Sequence, residues 1–218
     1  MCLCYVFKSL GYLARTLLSR SAKELRLLVL GLDNAGKTTL VARLGPKAEG
    51  VRIRSVVGGS SKEIVINRKK LRFLDLSGQW GRRQIWRNYY GSANALIYVI
   101  DSTDAQRLGE ARSELFDILL DKRLENTPLL IMSNKQDQVG AMPTSDVTNS
   151  LGLTRFERRN WLIQDCSALT GNGVEQAMDW IYRTIKVERE PTSVESKRIW
   201  RVSKKRRKFK YWEDSNPF

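Results

Sequence analysis

The sequence contains no histidine. That excludes a metal centre built on imidazole and any Ser-His nucleophile pair. Cysteine is scarce too. Cys2, Cys4 and Cys166 are too few and too scattered for a disulfide framework, which points to a reducing compartment. No apolar run reaches the ~18 residues of a membrane-spanning helix. The apolar N-terminus is interrupted by Lys8, Arg15 and Arg20 and lacks the layout of a signal peptide. A cytoplasmic protein with peripheral membrane contact is therefore expected. Acidic residues are in deficit, 23 against 38 basic ones, for a formal charge of +15. That surplus favours an anionic partner, an acidic membrane or a nucleic acid, without choosing between them. What is present suits one sizeable domain plus tails: 218 residues, 42% of them hydrophobic.

Residues 2–18 place Leu3, Val6, Phe7, Leu10, Leu13, Leu17 and Leu18 near one helical face, with Lys8 and Arg15 elsewhere. Leu25 to Leu30 reads as a buried strand ending at Gly31, and a helix starts around Lys37. Ile64 to Ile66 and Leu71 to Leu74 read as a strand pair turned at Asn67-Arg68-Lys69. Further strands are expected at Ala95 to Ile100, Leu129 to Met132 and Trp161 to Asp165. Helices are expected through Glu114 and Leu120, at Thr144 to Leu151 and from Val174 to Val187. This alternation implies an α/β fold with a six-stranded, mostly parallel sheet, one antiparallel edge strand and helices on both faces. The pattern divides the chain into an N-terminal amphipathic helix (1–21), a domain (22–187) and a basic tail (188–218).

Between the first strand and its helix stands Gly31-Leu32-Asp33-Asn34-Ala35-Gly36-Lys37-Thr38, the spacing of a phosphate-binding loop. Glycines let backbone amides of Asp33, Asn34, Ala35 and Gly36 approach phosphate oxygens. Lys37 adds charge at the β- and γ-phosphates. Thr38 offers a hydroxyl to Mg²⁺, and the helix start through Thr39 adds its partial positive charge.

Asn134-Lys135-Gln136-Asp137 selects the base. The Asp137 carboxylate accepts from both N1–H and the exocyclic amine of guanine, a donor pair that adenine lacks. Asn134 ties loops together, and the Lys135 stem covers the base. Cys166-Ser167-Ala168 follows a strand, where a backbone N–H of Ser167 or Ala168 reaches guanine O6. In Asp75-Leu76-Ser77-Gly78-Gln79, Asp75 holds a magnesium-bound water, the Gly78 amide senses the γ-phosphate and Gln79 orients the attacking water.

With these motifs the chain resembles the ADP-ribosylation-factor-like (Arf-like) small GTPases. Ile85-Trp86-Arg87-Asn88-Tyr89-Tyr90, Ile97-Tyr98-Val99-Ile100-Asp101-Ser102 and Trp161 to Gly171 extend the likeness, which covers about Lys23 to Lys186. The second half is most similar to the branch associated with cilia and with unloading lipidated cargo. The resemblance implies a P-loop GTPase fold, GTP/GDP and Mg²⁺ as ligands, and a switch served by an exchange factor, a GTPase-activating protein and effectors. It also implies an N-terminal helix that leaves its groove when GTP binds.

Three departures matter. Where the family's first switch has Pro-Thr-x-Gly-Phe-Asn, this chain has Ser55-Val56-Val57-Gly58-Gly59-Ser60, and Val56 has no side-chain oxygen for Mg²⁺. Ser77 stands where the family has glycine. The family's aromatic effector triad falls on Gly59, Leu74 and Tyr89, of which only Tyr89 is aromatic. Slow hydrolysis without a partner is expected, with a nucleotide-bound, non-cycling scaffold as the alternative.

At the two ends, Cys2 replaces the glycine that myristoylation needs, leaving Cys2 and Cys4 as S-acylation candidates or ordinary thiols. Lys197 to Lys210 carries nine basic residues and no acidic one. An anionic membrane is the favoured partner for the tail and the N-terminal helix. A nuclear localisation signal, a nucleic-acid contact or a solvated tail are the other readings, and no folded recognition motif supports nucleic acid. The cilium and the nucleus are both compatible destinations.

Overall fold

A computed structural model describes residues 24–44, 52–66, 69–156 and 159–185. The expected N-terminal helix, Cys2 and Cys4, the turn at 67–68, the end of the last helix at 186–187 and the basic tail lie outside these residues.

One sheet of seven strands organises the domain, in the order β2-β3-β4-β1-β5-β6-β7. The strands are β1 (Glu24–Leu30), β2 (Arg52–Val56), β3 (Gly59–Ile66), β4 (Lys69–Leu76), β5 (Ala95–Asp101), β6 (Leu129–Asn134) and β7 (Trp161–Asp165). β1 pairs in parallel with β4 and β5, and the parallel run continues through β6 to β7. β2, β3 and β4 pair antiparallel. The six strands read from the sequence are all present; β2 is added at the edge. Its residues Arg52, Ile53, Arg54 and Ser55 are all exposed, so its burial does not alternate. Central strands behave oppositely. β5 and β6 are buried along almost their whole length because helices cover both faces.

The helices are α1 (Lys37–Arg43), α2 (Leu108–Leu119), α3 (Thr144–Leu151) and α4 (Val174–Thr184). Strand alternation sorts the core. Leu28, Leu30, Leu96, Tyr98 and Ile100 join Leu115 and Ile118 of α2 and Val147 and Leu151 of α3 in one cluster. Tyr98 seals that side with a hydroxyl hydrogen bond to the Ala111 carbonyl at 2.9 Å. Leu27, Val29, Ile97 and Val99 are equally buried on the opposite face, as are Leu40 and Val41 of α1 and Ala177 and Ile181 of α4.

Lys62 of β3 is only 6% exposed. Its ammonium donates to the Val41 and Ala42 carbonyls, both at 2.8 Å. These belong to the last turn of α1, where carbonyls lack helical partners and favour a cation. The lysine clasps the β2–β3 hairpin to the helix that begins at the phosphate loop.

Candidate functional site

The phosphate loop leaves β1 and enters α1 through glycines that no other residue replaces. Gly31 has φ +137° and Gly36 φ +93°. A Cβ on Gly31 would strike the Val99 carbonyl oxygen, and one on Gly36 the Asn134 amide. The first helical hydrogen bond runs from the Leu40 N–H to the Gly36 carbonyl at 2.9 Å. The N–H groups of Lys37, Thr38 and Thr39 thus precede the helical ladder, the arrangement that draws anions to helix starts.

Lys37 is buried and donates from Nζ to the Leu32 carbonyl at 2.6 Å. Burial pushes its ammonium below the usual lysine range, against the pull of Asp75 and Asp33. The Thr38 hydroxyl donates to Asp75 Oδ2 at 2.7 Å. Burial lifts the Asp75 carboxyl above the usual range, opposed by that hydrogen bond and by Lys37. Lys37, Thr38, Asp75, Gly78 and Gln79 line one open cleft of about 580 Å³ with Asp33, Asn34, Gly58, Gly59 and Ser60. Among the described residues there is no cluster of three metal-ligating side chains. A hydroxyl beside one carboxylate suits Mg²⁺ whose shell is completed by phosphate oxygens and water.

The second loop is clamped from several sides. The Ser77 N–H donates to the Gly58 carbonyl at 3.0 Å, and the Ser77 carbonyl accepts from Trp86 Nε1 at 2.9 Å. The Gly78 carbonyl accepts from Arg83 Nε at 2.7 Å. A Cβ on Gly78 would lie 2.5 Å from the Asp33 nitrogen and the Gly31 oxygen, so this backbone rests against the phosphate loop. Ser77 Oγ accepts from the Gln79 N–H at 3.4 Å. The Gln79 side chain is exposed and has no hydrogen bond among the described residues, which leaves it able to orient a water.

Arg83 escaped the sequence reading. It is 6% exposed and sits between Glu110 at 2.8 Å and Glu114 at 2.9 Å, with Asp33 at 3.7 Å. Burial opposes its charge, but the bonds to Glu110 and Glu114 outweigh burial and raise its pKa. Asp101 was likewise missed as a partner. Lys135 has φ +68° and donates to Asp101 Oδ2 at 2.5 Å. Burial pushes the Asp101 carboxyl up, yet hydrogen bonds from Lys135 and Thr103 hold it below the usual range.

Asn134, 2% exposed, joins two loops. Its Nδ2 donates to the Ala35 carbonyl at 2.8 Å, and its Oδ1 accepts the Ala168 N–H at 2.8 Å. Asp137 is exposed, and its carboxylate accepts no hydrogen bond from the described residues. The expected guanine O6 contact falls on N–H groups that already have partners within the loop. The Cys166 N–H donates to the Ser133 carbonyl, the Ser167 N–H to the Asn172 carbonyl and the Ala168 N–H to Asn134. Ser167 Oγ accepts from the Thr170 N–H at 3.0 Å. These bonds shape the loop on which the expected O6 contact falls.

The first-switch counterpart is a strand and turn. Val56 pairs with Gly59 across the hairpin and packs against the core, while Ser55 pairs with Ser60 and is exposed. Of the triad positions, Leu74 is buried, and a Cβ on Gly59 would collide with the Asp75 carbonyl oxygen. Tyr89 is half-buried and donates its hydroxyl to the Val57 carbonyl at 2.7 Å.

A largely parallel sheet with a phosphate loop after its first strand and a guanine-reading run after its sixth defines a P-loop guanine-nucleotide-binding protein. Residues 12–185 match the ADP-ribosylation factor family. The chain is 40% identical over 169 residues to ADP-ribosylation factor-like protein 3 of Chlamydomonas reinhardtii, covering 78% of this chain and 95% of the relative. It is 41% identical over 168 residues to ADP-ribosylation factor-like protein 1 of Saccharomyces cerevisiae, covering 77% and 91%. Among solved structures it resembles the Arl6 BBS3 small GTPase of Trypanosoma brucei with bound GppNp, at TM-score 0.68 and 29% identity over 75% of this chain and 98% of the other. The chain belongs to the ADP-ribosylation factor family as a divergent Arf-like small GTPase.

Proposed function

We propose that the protein is a GDP/GTP switch acting in membrane or ciliary protein trafficking, with Mg²⁺ as its metal and slow hydrolysis in the absence of a partner. The observation that carries this reading is the Asn134 bridge, which joins the phosphate loop at Ala35 to the base-side loop at Ala168. It supports one preformed guanine pocket rather than two separate turns. The solved relative that holds GppNp supports binding of the triphosphate form.

The geometry supports the following residue roles. Asp33, Asn34, Ala35, Gly36, Lys37, Thr38, Thr39 and Gly78 hold the phosphates; Asn134, Lys135 and Asp137 read the base. Thr38 and Asp75 would hold Mg²⁺, Asp75 through a water, and the metal would supply charge neutralisation at the phosphates. Gln79 positions the water. Slow hydrolysis is supported by Val56, whose side chain lies against the core and offers no oxygen. The same packing favours the second reading, a nucleotide-bound scaffold that does not cycle.

Identification of the nucleotide released on denaturation, then affinities for GDP and GTP and single-turnover hydrolysis, tests the switch. Absence of guanine nucleotide together with no measurable affinity would sink it; rapid partner-free turnover would remove the slow-hydrolysis clause. Membrane attachment through residues 1–21 and the basic tail is tested by liposome flotation with and without 197–218. Equal binding by both chains would take the tail out of the mechanism.

A further inference from the structure

Two cations line the phosphate cleft, Lys37 and Arg82. Lys37 already has its role. Arg82 is exposed, and its guanidinium has no hydrogen bond or ion pair among the described residues. Its neighbours differ. Arg83 is buried between Glu110 and Glu114. Arg107 is held by Asp104 at 2.6 Å and by Asp33 at 3.3 Å. The cleft's own acids are also matched. Asp75 accepts from Thr38 and feels Lys37; Asp33 faces Arg83 and Arg107. Among the described residues Arg82 is therefore an uncompensated positive charge on the second-loop wall.

The backbone beneath that charge is fixed. The Arg82 N–H donates to the Gln79 carbonyl at 2.9 Å, one turn beyond the residue that positions water. Trp86, Arg83 and Ser77 clamp the preceding peptides. A free guanidinium on an anchored backbone is suited to a phosphate, whose oxygens match its forked donors. The opposite wall, Gly58, Gly59 and Ser60, carries no charge, and Val56 beside it has no polar side-chain atom.

We infer that Arg82 binds the γ-phosphate of GTP, so that this chain reads the triphosphate from its second loop where its first switch supplies no ligand. The inference rests on the proposed guanine-nucleotide switch. Arg82 then discriminates GTP from GDP, because only GTP carries the phosphate it contacts.

The test is equilibrium titration of the full chain, with Mg²⁺, against GDP and GppNp. Wild type, Arg82→Ala, Arg82→Lys and Arg87→Ala are compared. A charged hydrogen bond of ordinary strength makes Arg82→Ala weaken GppNp by about tenfold and leave GDP within about twofold. Arg82→Lys recovers part of the loss, since an ammonium keeps the charge but not the fork. Arg87→Ala, on the same segment but outside the cleft lining, changes neither. Unchanged GppNp affinity in Arg82→Ala, or an equal loss for both nucleotides, overturns the inference. A wild type that binds neither nucleotide sinks the switch reading as well, and the GDP titration separates the two failures.

Discussion

On the base side of the cleft, one side chain spans long sequence distances: Asn134 bonds Ala35 and Ala168, 99 and 34 positions away. On the lid side, residues 52–60 are held mainly by strand pairing, with Val56 opposite Gly59 and Ser60 opposite Asp75. The first arrangement depends on the identity of a buried amide. The second depends on backbone hydrogen bonds that most side chains would permit. Holding a nucleotide and responding to its last phosphate are thus coded separately here, and one can diverge while the other stays intact.

The largest expected effect breaks the base side. Asn134→Ala removes hydrogen bonds to two loops in a buried setting, and should weaken GDP and GTP alike by about a hundredfold, given ~1–3 kcal/mol for each unsatisfied group. Isothermal titration reads it; a loss confined to GTP would merge the two sides of the comparison. Next comes the clasp. Lys62→Ala should lower unfolding stability by about 2 kcal/mol, because two charge-assisted hydrogen bonds to the end of α1 are lost. Urea unfolding measures it, and an unchanged midpoint would mean the hairpin is held by strand pairing alone.

A smaller effect depends on pH. The Asp101 carboxyl sits below its unfolded pKa, so its stabilisation is present above the ordinary aspartate range and fades as pH falls through the depressed value. Asp101→Asn should therefore cost about 1 kcal/mol at neutral pH and progressively less as acid protonates the carboxyl. Thermal unfolding across that range checks it, and a pH-independent loss would assign the effect to packing. The smallest change is expected at the lid. Val56→Thr should leave the GTP to GDP affinity ratio within about twofold, because a residue set in a strand against the core does not gain a ligand by gaining a hydroxyl. A several-fold gain for GTP would show that the hairpin opens readily.

The motifs were legible because each is short and its chemistry is local. Gly31 to Thr38 follows a buried strand and opens a helix, and Asn134 to Asp137 ends another. The central strands were legible from continuous apolar runs such as Ala95 to Ile100. What stayed hidden depends on partners distant in sequence. Arg83 reads as one more exposed base among many, and only the fold brings Glu110 and Glu114 to it. Lys62 lies outside the strand expected at Ile64 to Ile66, and only the fold buries it on the carbonyls of α1. β2 was missed because its alternation, Val51-Arg52-Ile53-Arg54, is only four residues long and breaks at Ser55. The bonds that the N–H groups of Cys166, Ser167 and Ala168 make to Ser133, Asn172 and Asn134 were hidden for the same reason.

The close approach at Gly59 has a consequence for engineering. Giving this chain a relative's partners by restoring an aromatic ring there would drive the new side chain into the Asp75 carbonyl. The graft has to re-register two strands before it can add a ring. A single substitution at Gly59 therefore cannot supply a recognition ring while β3 and β4 keep their present spacing.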